Sequence, residues 1–117
     1  MNILGKQGEE LVADYLKESL KYKIVAKNYM CDQFGEIDII CIDKENRYVF
    51  VEVKSRTNDK FMDINQAINY RKRQALKMAT KFYISKNRLQ NVSYRIDLAT
   101  YNKNTGKIDY FEDILDC

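Results

Sequence analysis

Apolar side chains recur at three- and four-residue intervals over residues 4–20, where Leu4, Leu11, Val12, Tyr15 and Leu16 form one stripe. Glu10, Asp14, Lys17 and Lys21 fall on another face. This period predicts an amphipathic helix. Glu9 breaks the pattern: it stands three positions before Val12 and seven before Leu16, on or beside the buried stripe. After Lys23 three strand-like runs follow, rich in β-branched and aromatic residues, at Ile24–Met30, Glu36–Ile42 and Tyr48–Arg56. The short connections Asp32–Gly35 and Asp43–Arg47 predict an antiparallel meander. A second helical stretch runs from about Asp63 to Lys86, interrupted near Asn69-Tyr70, where Asn69 suits a fresh N-cap. Ala75, Leu76, Ala79, Phe82 and Tyr83 form its inner stripe, and Arg73, Lys77 and Lys81 an outer one. Lys72 falls among the inner positions 72, 76, 79 and 83. Two final strands, Val92–Tyr101 and Lys107–Phe111, flank a turn at residues 102–106. The order α-β-β-β-α-β-β predicts an α/β fold with a central mixed sheet flanked by helices.

The 117 residues suit one domain spanning 1–117, with no linker, repeat or proline to divide it. With 45% hydrophobic and 32% charged residues the chain reads as globular rather than disordered. No apolar run approaches the ~20 residues of a membrane helix. The start has no basic stretch followed by an apolar one, and the cysteines Cys31, Cys41 and Cys117 are odd in number and widely spaced. Both features predict a cytoplasmic protein with free thiols.

Charge is concentrated in one block. Residues 71–88 hold seven Lys/Arg and no acid, while residues 1–70 hold ten basic against twelve acidic residues, and 89–117 three against five. Such a block fits a surface that meets phosphates, and it equally fits a solvated helix face. The chain has no histidine. That excludes Ser-His-Asp and Cys-His nucleophilic machinery and histidine-ligated zinc, leaving carboxylates, lysine, arginine, tyrosine or a hard cation held by oxygen.

The second and third strands carry residues suited to that last option. In Gly35-Glu-Ile-Asp-Ile-Ile40, Asp38 interrupts a strand that otherwise reads as core, and in Val49-Phe-Val-Glu-Val-Lys54 the two-residue spacing puts Glu52 and Lys54 on one face. Two carboxylates and a lysine on adjacent central strands are costly unless they converge on a ligand. A divalent cation, Mg2+ or Mn2+, satisfies them: Asp38 and Glu52 as ligands, the Val53 carbonyl as a further oxygen, and Glu9 completing the shell or holding a second ion. The chemistry this predicts is phosphodiester hydrolysis, with Lys54 orienting water or stabilising charge on the phosphate. For Glu9 alone, a carboxylate favoured by the dipole at a helix N-terminus is the simpler reading, and an exposed cross-strand pair is the simpler one for Glu52 and Lys54 alone.

Taken together, the acid on the first helix, then Gly35-Glu-Ile-Asp38 and Val51-Glu-Val-Lys54, resemble in order and spacing the PD-(D/E)xK nuclease superfamily. Adding Gly5-Lys-Gln-Gly-Glu9, Asn28-Tyr29, Phe50-Val-Glu-Val-Lys-Ser-Arg56, Arg71-Lys72 and Arg95-Ile-Asp97, nearly the whole chain resembles the YraN family of small bacterial proteins. The resemblance implies a restriction-endonuclease-like fold similar to archaeal Holliday-junction resolvases. It implies metal-binding acids at Glu9, Asp38 and Glu52, a catalytic lysine at Lys54, and basic positions at Arg56 and Lys72. The segment Thr57–Asp63 lacks the glycine and proline often found there in the family.

The expected function is a metal-dependent endonuclease acting on DNA, branched or otherwise structured, with Arg56, Lys72, Arg73, Lys77 and Lys81 meeting phosphates and a homodimer matching a two-fold junction. The alternative is a nucleic-acid-binding module that keeps the fold without cutting and acts with a partner. A structural protein whose basic helix meets an acidic protein surface ranks third. Arg95 and Asp97 read as a structural pair, Cys31 and Cys41 as small apolar residues, and most tyrosines, including Tyr22, Tyr29 and Tyr48, as packing.

Overall fold

The computed structural model describes residues 3–57 and 64–116. Its elements are α1 (Ile3–Glu18), β1 (Lys23–Met30), β2 (Glu36–Ile42), β3 (Tyr48–Arg56), α2 (Ile64–Ala67), α3 (Tyr70–Lys86), β4 (Tyr94–Asn102) and β5 (Ile108–Phe111), with 3-10 turns at Asp32–Phe34 and Ile114–Asp116. The expected helix start at Asp63 lies outside the described residues, as does most of Thr57–Asp63. The break at Asn69 is real: its side chain accepts the Lys72 N–H at 2.8 Å, capping α3.

The sheet has five strands in the order β1-β2-β3-β4-β5. β1, β2 and β3 form the antiparallel meander, the crossover through α2 and α3 makes β4 parallel to β3, and β5 returns antiparallel. The mixed sheet and the α-β-β-β-α-β-β order are those expected, with α2 as a short addition before α3. Helices cover both faces, which is why β2 to β4 read as nearly continuous apolar runs. Val12, Ala13 and Leu16 of α1 pack on Ile39, Cys41, Val49, Val51 and Ala99. On the other face Leu76, Ala79 and Tyr83 of α3 meet Ile40, Phe50, Ile96 and Leu98.

Two stripe positions differ from expectation. Leu11 is exposed, since α1 touches the sheet along a narrow line through Val12, Ala13 and Leu16. Ala75 also faces solvent, because the inner surface of α3 is centred on Leu76, Thr80 and Tyr83. The tyrosines pack as expected: Tyr29 and Tyr83 meet edge to face at 4.9 Å, and Tyr48 lies 6.2 Å from both Phe50 and Tyr83. Cys31 and Cys41 are fully buried. No described helix is long and apolar enough to cross a membrane.

One end of the sheet is closed by a charge network. The Arg95 guanidinium donates to Asp97 at 3.0 Å, Asp43 at 3.2 Å and the Tyr22 hydroxyl at 2.7 Å. Asp97, fully buried, also accepts from the Tyr110 hydroxyl and the Asp113 N–H. A buried charge with this many donors is satisfied in place and fixes β4 against β5 and the α1–β1 corner.

At the other end α1 approaches β4 closely. A Cβ on Gly8 would lie 2.7 Å from the ring of Tyr101, itself only 4% exposed and unable to swing aside. Gly8→Ala gains about 1 kcal/mol of helix propensity against about 1–3 kcal/mol of overpacking. We expect a net destabilisation of about 1 kcal/mol, read as a lower urea midpoint. An unchanged midpoint would mean that α1 shifts freely on β4.

Candidate metal centre

β2 and β3 pair only from Ile39 opposite Val51 to Ile42 opposite Tyr48. Beyond that level β2 continues along β1 to Glu36 and β3 continues along β4 to Arg56, so the two central strands part. Asp38 stands at the fork. Its Oδ2 accepts the Val53 N–H at 2.9 Å, replacing the lost backbone partner with a carboxylate. In a strand the N–H and C=O of one residue leave on the same side, so the Val53 carbonyl also faces the opening.

Acids collect in this notch. Glu9 of α1 and Glu36 and Asp38 of β2 each bring a carboxylate oxygen within 4.8 Å of the others. Glu52 lines the same cavity of about 390 Å³, with Gly8, Glu9, Asp38 and Val53. Its carboxyl reaches that of Asp38, and its Oε2 is buried with no hydrogen-bond partner, with Lys72 Nζ at 3.9 Å. Burial, and then the charge of Asp38, push the Glu52 carboxyl up to about 8; burial likewise pushes Asp38 up to about 6, against the Val53 hydrogen bond. The pair keeps a proton near neutrality, and its buried Glu52 Oε2 makes no hydrogen bond among the described residues, although Lys72 stands 3.9 Å away. Carboxylates and a main-chain carbonyl are the donors a hard divalent ion takes, so the residues fit Mg2+ or Mn2+.

Glu52 and Lys54 also line a second cavity of about 330 Å³ that runs to Asn69 and Lys72. Lys54 leaves the strand on the Glu52 face, and its Nζ donates to the Ala67 carbonyl at 2.5 Å. Lys72, out of place in the inner stripe of α3, thereby acquires a reason: it reaches Glu52.

The expected acids Glu9, Asp38 and Glu52 thus converge with Val53 and Lys54 around one cavity. Two residues expected to meet phosphates are placed otherwise. Arg56 is 9% exposed and its guanidinium pairs with Asp109 of β5, so it ties strands together. Arg73 is 9% exposed, because position 73 falls three before Leu76 and seven before Thr80, on the inner face of α3. Lys81 is exposed and Lys77 half-buried, and Arg71 adds an exposed cation at the start of the helix. Sequence reasoning passed over Glu36 and Asn28. Glu36 stands two before Asp38, the same spacing that unites Glu52 with Lys54. Asn28 carried no signal beyond its place in the family motif, since an asparagine in a strand usually marks a turn.

A profile of an uncharacterised protein family, UPF0102, matches residues 8–101. A UPF0102 protein of Desulforamulus reducens is 35% identical over 113 residues, covering 95% of this chain and 91% of that one. One from Thermodesulfovibrio yellowstonii is 42% identical over 110 residues, covering 94% and 93%. Among solved structures, a repair endonuclease from Pyrococcus abyssi aligns with a TM-score of 0.45 and 17% identity, over 80% of this chain and 38% of that one.

The raised carboxyls make a stability prediction for the metal-free protein. Folded Glu52 and Asp38 hold protons that the unfolded chain releases near 4.5 and 3.8. Their contribution is therefore full at low pH and is lost as pH rises toward about 8. Urea midpoints should fall between about pH 4.5 and about pH 8, and Glu52→Gln should flatten that fall. Mn2+ should reverse it, since a cation binds the ionised pair. Equal slopes for wild type and Glu52→Gln would remove the pair as its source.

Proposed function

The chain belongs to the uncharacterised protein family UPF0102, and from the notch its fold builds we propose that it is a metal-dependent endonuclease that hydrolyses phosphodiester bonds in DNA. The observation that carries this reading is the parting of β2 from β3, where carboxylates from α1, β2 and β3 meet the open side of Val53. Glu9, Asp38, Glu52 and the Val53 carbonyl would hold Mg2+ or Mn2+, with the Glu36 carboxylate beside Glu9 and Asp38 available to the same ion. Such an ion polarises a phosphate oxygen and makes a bound water acidic enough to attack at neutral pH. Asp38 and Glu52 would hold such an ion as ionised carboxylates. Lys54 keeps one hydrogen bond to Ala67 and offers its remaining N–H groups to charge developing on the phosphate.

DNA is held by the cations around the notch. Lys72 lines the cavity beside Glu52, and Lys77 and Lys81, four residues apart, share another face of α3 further along the helix. Branched or structured DNA is the substrate class we favour, gripped by a homodimer at a two-fold junction. One observation favours a second reading, a module that binds nucleic acid without cutting: the Lys54 ammonium is tied to the Ala67 carbonyl.

A panel of linear, flapped and four-way DNA with Mn2+ separates the two. The enzyme reading expects cleavage that falls at least about a hundredfold in Glu52→Gln, with DNA binding retained. Lys54→Ala should also abolish cutting, but keep or tighten Mn2+ uptake because a competing cation has gone. A wild type that binds branched DNA and cuts none of the panel would favour the non-cutting module.

Replacing Lys77 and Lys81 together with Gln should weaken binding alike across sequences. The salt dependence should flatten by roughly one unit of slope for each phosphate no longer neutralised. An unchanged slope would return that face of α3 to solvent.

A further inference from the structure

Asn28 has no part in the expected site, yet the backbone is bent to bring it there. It sits inside β1 with φ of 54°, the left-handed region that side chains other than Gly, Asn and Asp seldom enter. The bend shows in the burial pattern: Lys27 and Asn28 are both exposed, so Ala26 and Tyr29, three apart rather than two, pack on the α3 side of the sheet. Lys27 lies opposite Ile39 and Tyr29 opposite Ile37, which brings Asn28 level with Asp38. From there its Nδ2 donates to Glu9 Oε1 at 2.7 Å and to Glu36 Oε1 at 3.0 Å.

These two bonds join carboxylates from different elements, one on α1 and one on β2, that would otherwise repel. The amide uses one oxygen of each and leaves the other to a cation. Few residues could do this. Glycine accepts the backbone angle but has no donor. Aspartate accepts it but adds a fourth charge to the group of Glu9, Glu36 and Asp38. Serine offers a single proton for two acceptors. Asparagine combines tolerance of the left-handed angle with two N–H groups on one nitrogen.

We propose that Asn28 is a positioning residue that holds Glu9 and Glu36 together and so presents them as a pair to the metal. This rests on the reading of the notch as a metal centre. Backbone kinks of this kind persist where the surrounding structure uses them, and here the use is the aim of one amide.

Asn28→Gly keeps the backbone angle and deletes the amide. Calorimetric titration with Mn2+ should then show affinity about tenfold weaker, while the urea midpoint stays near that of the wild type. Affinity equal to the wild type would mean that only the backbone angle matters and would overturn the proposal. A second measurement needs no metal. In the metal-free protein the Asn28 side-chain amide signals, followed by 15N NMR, should move on both Glu9→Gln and Glu36→Gln. Signals indifferent to both changes overturn the proposal as well. If the wild type takes up no Mn2+, the metal reading falls on its own, and the amide signals alone decide whether Asn28 holds the two acids.

Discussion

The hydrogen bond from Val53 N–H to the Asp38 carboxylate organises this molecule. Two central strands of a covered sheet would ordinarily pair along their whole length, because an unpaired buried peptide group is costly. Here β2 and β3 separate four residue pairs into their ladder, and a side chain satisfies the first amide left over. Everything assigned to the centre follows from that substitution. It turns one carboxylate inward, leaves a carbonyl facing the gap, and opens room for α1 to deliver Glu9 over the small side of Gly8.

Negative charge gathered in this way has to be balanced, and the elements supply that in stages. Asn28 offers neutral donors to Glu9 and Glu36 at the rim, while Lys72 approaches Glu52 from α3. Neither satisfies Glu52 Oε2, which remains buried without a hydrogen bond. Protonation of the Asp38–Glu52 pair is the metal-free answer and a divalent cation the other. At the opposite end of the sheet Arg95 pairs with Asp97 and Asp43, and Arg47 pairs with Asp43. One end is thus closed by matched charge, and the other is kept open by unmatched charge.

Most of the fold was legible in the sequence because periodicity and punctuation agreed: the meander, the helix break at Asn69 and the mixed sheet all appear where those signals put them. Asp38, Glu52 and Lys54 were legible because charged residues in apolar strands contradict their surroundings. Two basic residues lie elsewhere than expected. Arg56 was carried over from the family pattern and Arg73 from helical spacing and charge, whereas how much of a residue is buried is decided by what packs on its element. Arg73 lies on the buried face of α3 with Leu76, Thr80 and Tyr83. Asn28 was the least legible residue, since its role depends on a backbone angle that no pattern of apolar residues encodes.

The kink at Asn28 also bears on the outer edge of the sheet. Among the described residues β1 pairs with β2 alone, so its far side is an open row of peptide groups of the kind that recruits strands from other chains. A register irregularity between Ile24 and Ala26 and the left-handed turn at Asn28 interrupt that row, and Lys23 and Lys27 stand exposed along it. An incoming strand would find no run of regular acceptors and donors to zip against. The geometry that aims an amide at two acids therefore also discourages strand addition at the β1 edge, so that a second copy of the chain would have to dock through some other surface.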